Sequence, residues 1–227
     1  MVGKIIKGIG GFYYIHVQGE GVYACRARGI FRKDKKKPLV GDDVEMTVTD
    51  PKDMEGSLDV LLPRRNMLIR PAAANVDQAL VVFAAASPQP NLNLLDRFLI
   101  NMRRQDIPVI ICFNKADLVS PEQMSELCGN YRGAGAQVLA ASVLKEQGIE
   151  EIRRLLHGRT TIIAGPSGVG KSSLTNALSP DALMEVGEVS RKIDRGRHTT
   201  RHTQLIWMEE DTYILDTPDS VPCFYRI

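Results

Sequence analysis

The chain has 227 residues, 44% of them apolar and 25% charged, with a formal net charge of +2. That is an ordinary composition for a soluble globular protein, long enough to bury a proper core in one large or two smaller domains. No apolar run approaches the roughly 18 residues of a membrane span, and the N-terminus has no apolar signal segment, so the expectation is a cytoplasmic protein that does not engage membrane.

Residues 1–66 form short runs rich in glycine, β-branched and aromatic residues: GGFYYIHVQ, GVYACRARGIF, DDVEMTVTD and GSLDVLLP. Turn segments QGEG, KKKPLVGDD and DPKDMEG separate them. Several short strands broken by turns predict a small all-β barrel, and a five-stranded barrel of this kind commonly binds oligonucleotides on one face. The charge distribution agrees: residues 1–70 carry 13 Lys/Arg against 9 Asp/Glu, and RKDKKK (32–37) holds five bases in six residues. A solvated loop is the plainer reading of such a run taken alone. The linker to the second domain is expected near PRRNMLIRP (63–71), giving domains over 1–66 and 67–227.

From about residue 75 the rhythm changes. VDQALVVFAAA reads as a strand buried on both faces. LNLLDRFLINMRRQ comes next, with Leu95, Phe98, Leu99 and Met102 on one helical face. After it come strand IPVIICFN, helix PEQMSELCGNY, strand AQVLAAS, helix GIEEIRRLLH and strand TTIIAG, and then a further helix. This alternation predicts a doubly wound, mostly parallel α/β sheet. TQLIWME and TYILDT, joined by about three residues, look like a hairpin at the sheet's end. Cys25, Cys112, Cys128 and Cys223 show neither CxxC pairing nor a histidine at ligand spacing, so reduced thiols without metal are expected. Cys112, inside IPVIICF, reads as a small core residue.

Chemistry-bearing motifs sit at the strand ends. NKAD (114–117) succeeds VIICF. There Asp117 could accept both the ring N–H and the exocyclic amino group of guanine, a fork that adenine cannot offer. Asn114 would brace the base and the neighbouring loop, the Lys115 stem could cover the ring, and Ala116 completes the turn. A surface turn explains NKxD about equally well until a phosphate site is found beside it. AAS (140–142) ends the next strand, where Ala141 and Ser142 would offer a backbone N–H to the base oxygen. GPSGVGKS (165–172) fits GxxxxGK[ST] in full, between a β-run and a helix. Gly165, Pro166, Ser167, Gly168, Val169 and Gly170 would close backbone N–H groups around phosphates, helped by the helix N-terminus. Lys171 would reach the β- and γ-phosphates, the Ser172 hydroxyl would ligate Mg²⁺, and Ser173 lines the same turn. RGRHTTRH (195–202) brings His198 together with Thr199 and Thr200, which suit Mg²⁺. DTPD (216–219) ends TYILDT, and Asp216 there would hold Mg²⁺ through water, unless it is only a polar turn. The order is permuted: NKAD and AAS precede the P-loop, while RGRHTT and DTPD come after it. A doubly wound sheet tolerates this, because all the loops converge on one edge.

With these motifs the chain resembles the ribosome small-subunit-dependent GTPase A family of bacteria over nearly all of residues 3–218. The likeness includes CRARGIFRK (25–33), PLVGD (38–42), PRRN (63–66), RPAAANVDQ (70–78), NLLDRFL (93–99), GPSGVGKSSL (165–174) and GEVSRKIDRGRHTTRH (187–202). The resemblance implies an N-terminal OB-fold, a circularly permuted GTPase domain and a C-terminal zinc module. It also implies GTP and GDP as ligands with Mg²⁺, and hydrolysis stimulated by the small ribosomal subunit during its late maturation. It further implies rRNA contact by the barrel, through Arg26, Arg28, Arg32 and Lys33, and a catalytic His198 alongside Lys171. A monomer is the expectation. Two departures stand out. The family's DTPG reads DTPD, placing Asp219 where a glycine N–H would approach the γ-phosphate, and SVPCFYRI does not resemble the family's continuation, so the zinc module is expected to be absent. The alternative is a chain that binds GTP or GDP but hydrolyses it poorly.

Overall fold

The computed structural model describes residues 1–29, 31, 37–179 and 203–216. Five strands open the chain: β1 Val2–Ile9, β2 Phe12–Val17, β3 Gly21–Ala27, β4 Asp43–Asp50 and β5 Glu55–Leu61. They close a barrel in the order β1-β2-β3-β5-β4, antiparallel throughout except where β3 lies parallel to β5. Period-two alternation drives the closure: Ile15 and Val17, Tyr23 and Cys25, and Val44 and Met46 point inward with Ile5 and Leu58. Four of these strands coincide with the runs expected from sequence. The fifth, β1, is not evident there, because VGKIIKGI mixes two lysines with adjacent isoleucines and alternates poorly.

A short ribbon, β6 Met67–Leu68 with β7 Ala73–Ala74, joins barrel to sheet. Ion pairs hold this joint. Arg64 places Nε 2.6 Å and Nη2 2.8 Å from the two oxygens of the fully buried Asp42 carboxylate, and Arg65 pairs with Asp77. Asn75, at φ +56°, donates to Gly41 O and to the Asp43 carboxylate, both at 3.0 Å. PLVGD and PRRN are therefore the two halves of one inter-domain clasp.

The second domain is a six-stranded sheet in the order β10-β9-β8-β11-β13-β12. Its strands are β8 Gln78–Ala84, β9 Val109–Asn114, β10 Gln137–Ala140, β11 Thr160–Ala164, β12 Gln204–Glu209 and β13 Thr212–Asp216. All neighbours are parallel except the edge strand β12, so the fold is a mostly parallel α/β sheet behind an all-β barrel. The β12–β13 turn holds two residues, Glu210 and Asp211, one fewer than expected. Helix α1 (Leu92–Arg103) starts at Asn91, whose side chain accepts the Leu94 N–H, and α2 (Pro121–Gly129) starts at a Ser120–Gln123 capping box. Helices α3 (Ile149–Leu156) and α4 (Lys171–Leu178) follow.

One face of the sheet buries Ile152, Leu156, Leu174 and Leu178 of α3 and α4. The other buries Leu95, Phe98 and Met102 of α1, with Leu99 half-buried beside them. On that second face, the end formed by Leu205, Tyr213 and Leu215 packs with Val40, Leu68 and Ile6 from the barrel side. Among the described residues no helix is long and apolar enough to cross a membrane. Cys25, Cys112 and Cys128 are free thiols, and burial pushes Cys112 up to about 12.

Candidate functional site

Parallel strands β8, β9, β10 and β11 end on one edge of the sheet, so the loops leaving them meet there. The loop after β11 is residues 165–170. Gly165 adopts φ +148°, and a Cβ there would sit 2.1 Å from Val82 O of β8. Gly170, at φ +95°, is the N-cap of α4, and a Cβ on it would meet Asn114 Nδ2 at 2.4 Å. Only glycine fits either position. Lys171 opens α4 and folds back over the loop, its ammonium donating to Gly165 O (3.0 Å) and Pro166 O (2.8 Å). Ser172 and Ser173 are exposed in the first turn of α4, as are Ser167 and Gly168 in the loop, while Val169 is buried.

The loop after β9 is stitched to this one. Asn114, almost fully buried, donates from Nδ2 to Val169 O at 2.9 Å, and its Oδ1 is buried without a partner among the described residues. Lys115 stands in the left-handed region, at φ +59°, and its ammonium donates to Ser87 O and to Gly168 O. Ala116–Leu118 form one 3-10 turn that leaves Asp117 exposed at the mouth. The Ser142 hydroxyl donates to the Asp117 carboxylate and fixes its rotamer. The structure thus brings Asn114, Lys115, Asp117, Ser142 and the P-loop together.

The expected backbone donors at Ala141 and Ser142 are corrected by their bonding. The Ala141 N–H is already donated to Phe113 O (2.9 Å) and that of Ser142 to Gln147 O (3.0 Å), so neither is free for a ligand. The next N–H along, that of Val143, has no partner among the described residues and is the one available beside Asp117. The short signal AAS thus names two donors already in use, one in the pairing with β9 and the other in a bridge to Gln147. Ser87 carries no such signal in the sequence. It belongs to SPQP (87–90), whose proline content marks only a turn, and its carbonyl helps hold Lys115 across the P-loop.

The donor set fits a magnesium-bound guanine nucleotide. An anion-seeking loop and lysine stand beside a hydroxyl on a helix N-terminus, next to a carboxylate with an orphaned amide oxygen close by. Asp216 ends β13, which lies parallel to the P-loop strand β11 with Leu215 opposite Ile162. That register carries its backbone to the phosphate end of the site. His198, Thr199, Thr200 and Asp219 lie outside the described residues.

On the barrel, Arg26 lays its guanidinium 4.7 Å from the centre of the Phe12 ring, and Arg28 Nε lies 2.8 Å from the Asp59 carboxylate. Both arginines line a cleft of about 350 Å³ with Phe12, Thr49, Gly56 and Ser57. Arg28 therefore carries its own counter-charge, which sequence alone does not show. Arg32 and Lys33 lie outside the described residues.

Family models described as the RsgA N-terminal domain and the RsgA GTPase match residues 2–56 and 61–220. Among curated proteins, the Small ribosomal subunit biogenesis GTPase RsgA of Agathobacter rectalis is 53% identical, over 96% of this chain and 76% of the relative. That of Alkaliphilus metalliredigens is 51% identical, over 95% and 74%. Among solved structures, YjeQ from Thermotoga maritima superposes with a TM-score of 0.80 at 28% identity, over 98% of this chain and 76% of the other. YloQ, described as a circularly permuted GTPase, gives 0.75 at 40% identity, over 96% and 70%.

Proposed function

Because this chain belongs to the RsgA GTPase family, we propose that it hydrolyses GTP to GDP and phosphate on the maturing small ribosomal subunit. The observation that carries this reading is the direct bond between the two recognition loops, Asn114 Nδ2 to Val169 O. Base reading and phosphate binding share one rigid frame.

Asp117, held by Ser142, receives the two N–H groups of guanine, and the Val143 N–H meets the base oxygen. Residues 165–170 wrap the phosphates, and Lys171 exchanges its two loop carbonyls for β- and γ-phosphate oxygens. Ser172, Asp216 and the 199–200 threonines would hold magnesium, which would supply positive charge against the phosphates. His198 orients a water in line with the γ-phosphate. The water oxygen bonds to phosphorus as the bond to the β-phosphate oxygen breaks, and the water's proton ends on the phosphate released. Positioning and charge compensation are the main tasks left to protein in this chemistry. Rate enhancement by bound subunits is part of the proposal, as is rRNA contact through the barrel cleft around Arg26 and through Arg28, Arg32 and Lys33. So is a cytoplasmic monomer.

A second reading, nucleotide binding with little turnover, is favoured by Asp219, whose charge would oppose the γ-phosphate. Phosphate release measured with and without purified small subunits separates the two. The first reading expects GTP-dependent release that rises with subunits. Tight GTP binding without release in either condition establishes the second. Asp117→Asn should weaken GTP and favour xanthosine triphosphate, whereas ATP competing as well as GTP against the unmutated protein would remove Asp117 from base recognition.

A further inference from the structure

Among the contacts between barrel and sheet is a polar pair that the nucleotide site does not use. His16, on the outward side of β2, is 6% exposed, and Tyr213 of β13 is 2% exposed. His16 Nδ1 and the Tyr213 hydroxyl are 2.8 Å apart, across 197 residues of sequence. Trp207, opposite Tyr213 on β12, packs on the same imidazole with ring centres 4.8 Å apart and the ring planes tilted by 33°. Lys4 of β1 holds its ammonium 5.6 Å from the Tyr213 ring while pairing with Asp43 at 2.6 Å.

The place of this contact gives it meaning. Tyr213 stands three residues before Asp216 on a strand hydrogen-bonded on both sides, to P-loop strand β11 and to β12. At about 3.3 Å per residue the two are about 10 Å apart along a nearly inextensible strand. On the barrel, Phe12 and His16 lie four residues apart on β2, on the face opposite the inward Ile15. Phe12 lines the arginine cleft and His16 holds the hairpin. A single strand thus links the cleft to the hairpin, and a single strand links the hairpin to the end of the phosphate site.

We propose that His16 and Tyr213 are positioning residues that couple what the barrel binds to the nucleotide held at the P-loop. The inference rests on the GTPase reading above, since it takes Asp216 as part of the phosphate site. His16 acts through the Tyr213 hydroxyl to set the register of β13 against the barrel. A partner that shifts β2 therefore shifts Asp216, and by reciprocity the nucleotide changes the affinity for that partner by the same factor.

The test is the ratio of small-subunit affinities measured with a non-hydrolysable GTP analogue and with GDP on the full chain. Unmutated protein should show a clear preference for one nucleotide state. Tyr213→Phe, which removes only the hydroxyl, should cut that ratio about fivefold, as should His16→Leu. His16→Asn, whose amide oxygen can take the place of Nδ1 as acceptor, should restore it to within about twofold. A merely structural contact would lower the melting temperature and leave the ratio alone. A ratio that Tyr213→Phe leaves unchanged overturns the coupling while the GTPase reading stands. Equal affinities in the two nucleotide states of the unmutated protein overturn it too. Protein that binds no guanine nucleotide overturns the functional reading and this inference with it.

Discussion

At single positions the structure turns chemical types into steric and electrostatic demands. Gly170 is the sharpest case: its φ of +95° and the 2.4 Å approach to Asn114 Nδ2 each exclude a side chain. Gly170→Ala should cost about 1–2 kcal/mol in the left-handed backbone alone. It should also push Asn114 off Val169 O and weaken GTP binding about tenfold or more, equivalent to about 1.4 kcal/mol. Nucleotide titration together with a melting curve would separate the two losses, and an unchanged affinity would mean that the two loops are not joined. His16 makes a prediction about pH. Burial lowers its pKa from the ordinary 6.5, only partly offset by Asp211, while Tyr213, Trp207, Lys4 and Asp43 complete its surroundings. The folded value lies below the unfolded one, so its contribution is fully present above about pH 6.5 and is lost as pH falls through the lowered value. The melting temperature should therefore drop more between pH 7 and 5 in the unmutated protein than in His16→Asn. Parallel curves would show that His16 does not titrate at the joint.

Among elements, the inter-domain clasp is where sequence said least and structure most. Arg64 satisfies a fully buried carboxylate with a two-pronged contact, and Leu39 N donates to the same Asp42 at 2.7 Å. Arg64→Ala strands that charge. Arg64 is partly exposed, so the cost should be about 2–3 kcal/mol rather than the larger loss of a wholly buried pair. A fall in Tm of roughly 5–10 °C would register it. Arg64→Lys should recover only part, since a single ammonium cannot match both oxygens. Full recovery would show that charge alone matters there. The strands and helices of the α/β part were legible because each is a long apolar run or a capped amphipathic stretch, as Ser120 with Gln123 and Asn91 with Leu94 illustrate. GPSGVGKS and NKAD were legible because backbone geometry admits few residue types. Strand β1 was not, because its stability comes from pairing with β2 and β4 rather than from its own alternation. Nor were the Val143 donor and the His16–Tyr213 pair, since both depend on which groups other strands have already used.

For the whole molecule, the basic residues that the sequence groups on the barrel divide into committed and available parts. Arg28 is neutralised by Asp59, whereas Arg26 stacks on Phe12 without an ion-pair partner among the described residues. With single-stranded RNA, binding by the full chain should weaken as salt rises, by about 0.7 in log–log slope per phosphate contact. Arg26→Ala should flatten that slope, and Arg28→Ala should flatten it less. Equal effects would mean that the Asp59 pair opens on binding. The packing of the barrel carries a different consequence. On one face of the sheet α1 takes the β8–β9 end, while Ile6, Val40 and Leu68 cover Leu205, Tyr213 and Leu215 at the other, with Trp207 beside them. Among the described residues, the barrel occupies the place where a layered α/β fold would set another helix. The barrel keeps a core of its own around Ile15, Val44 and Leu58, but its side completes the apolar cluster on this face of the sheet, so neither part should have a melting transition of its own. Calorimetry of the chain should give a single peak whose van't Hoff and calorimetric enthalpies agree. Residues 67–227 produced alone should expose that apolar end of the sheet and self-associate rather than fold as an independent enzyme.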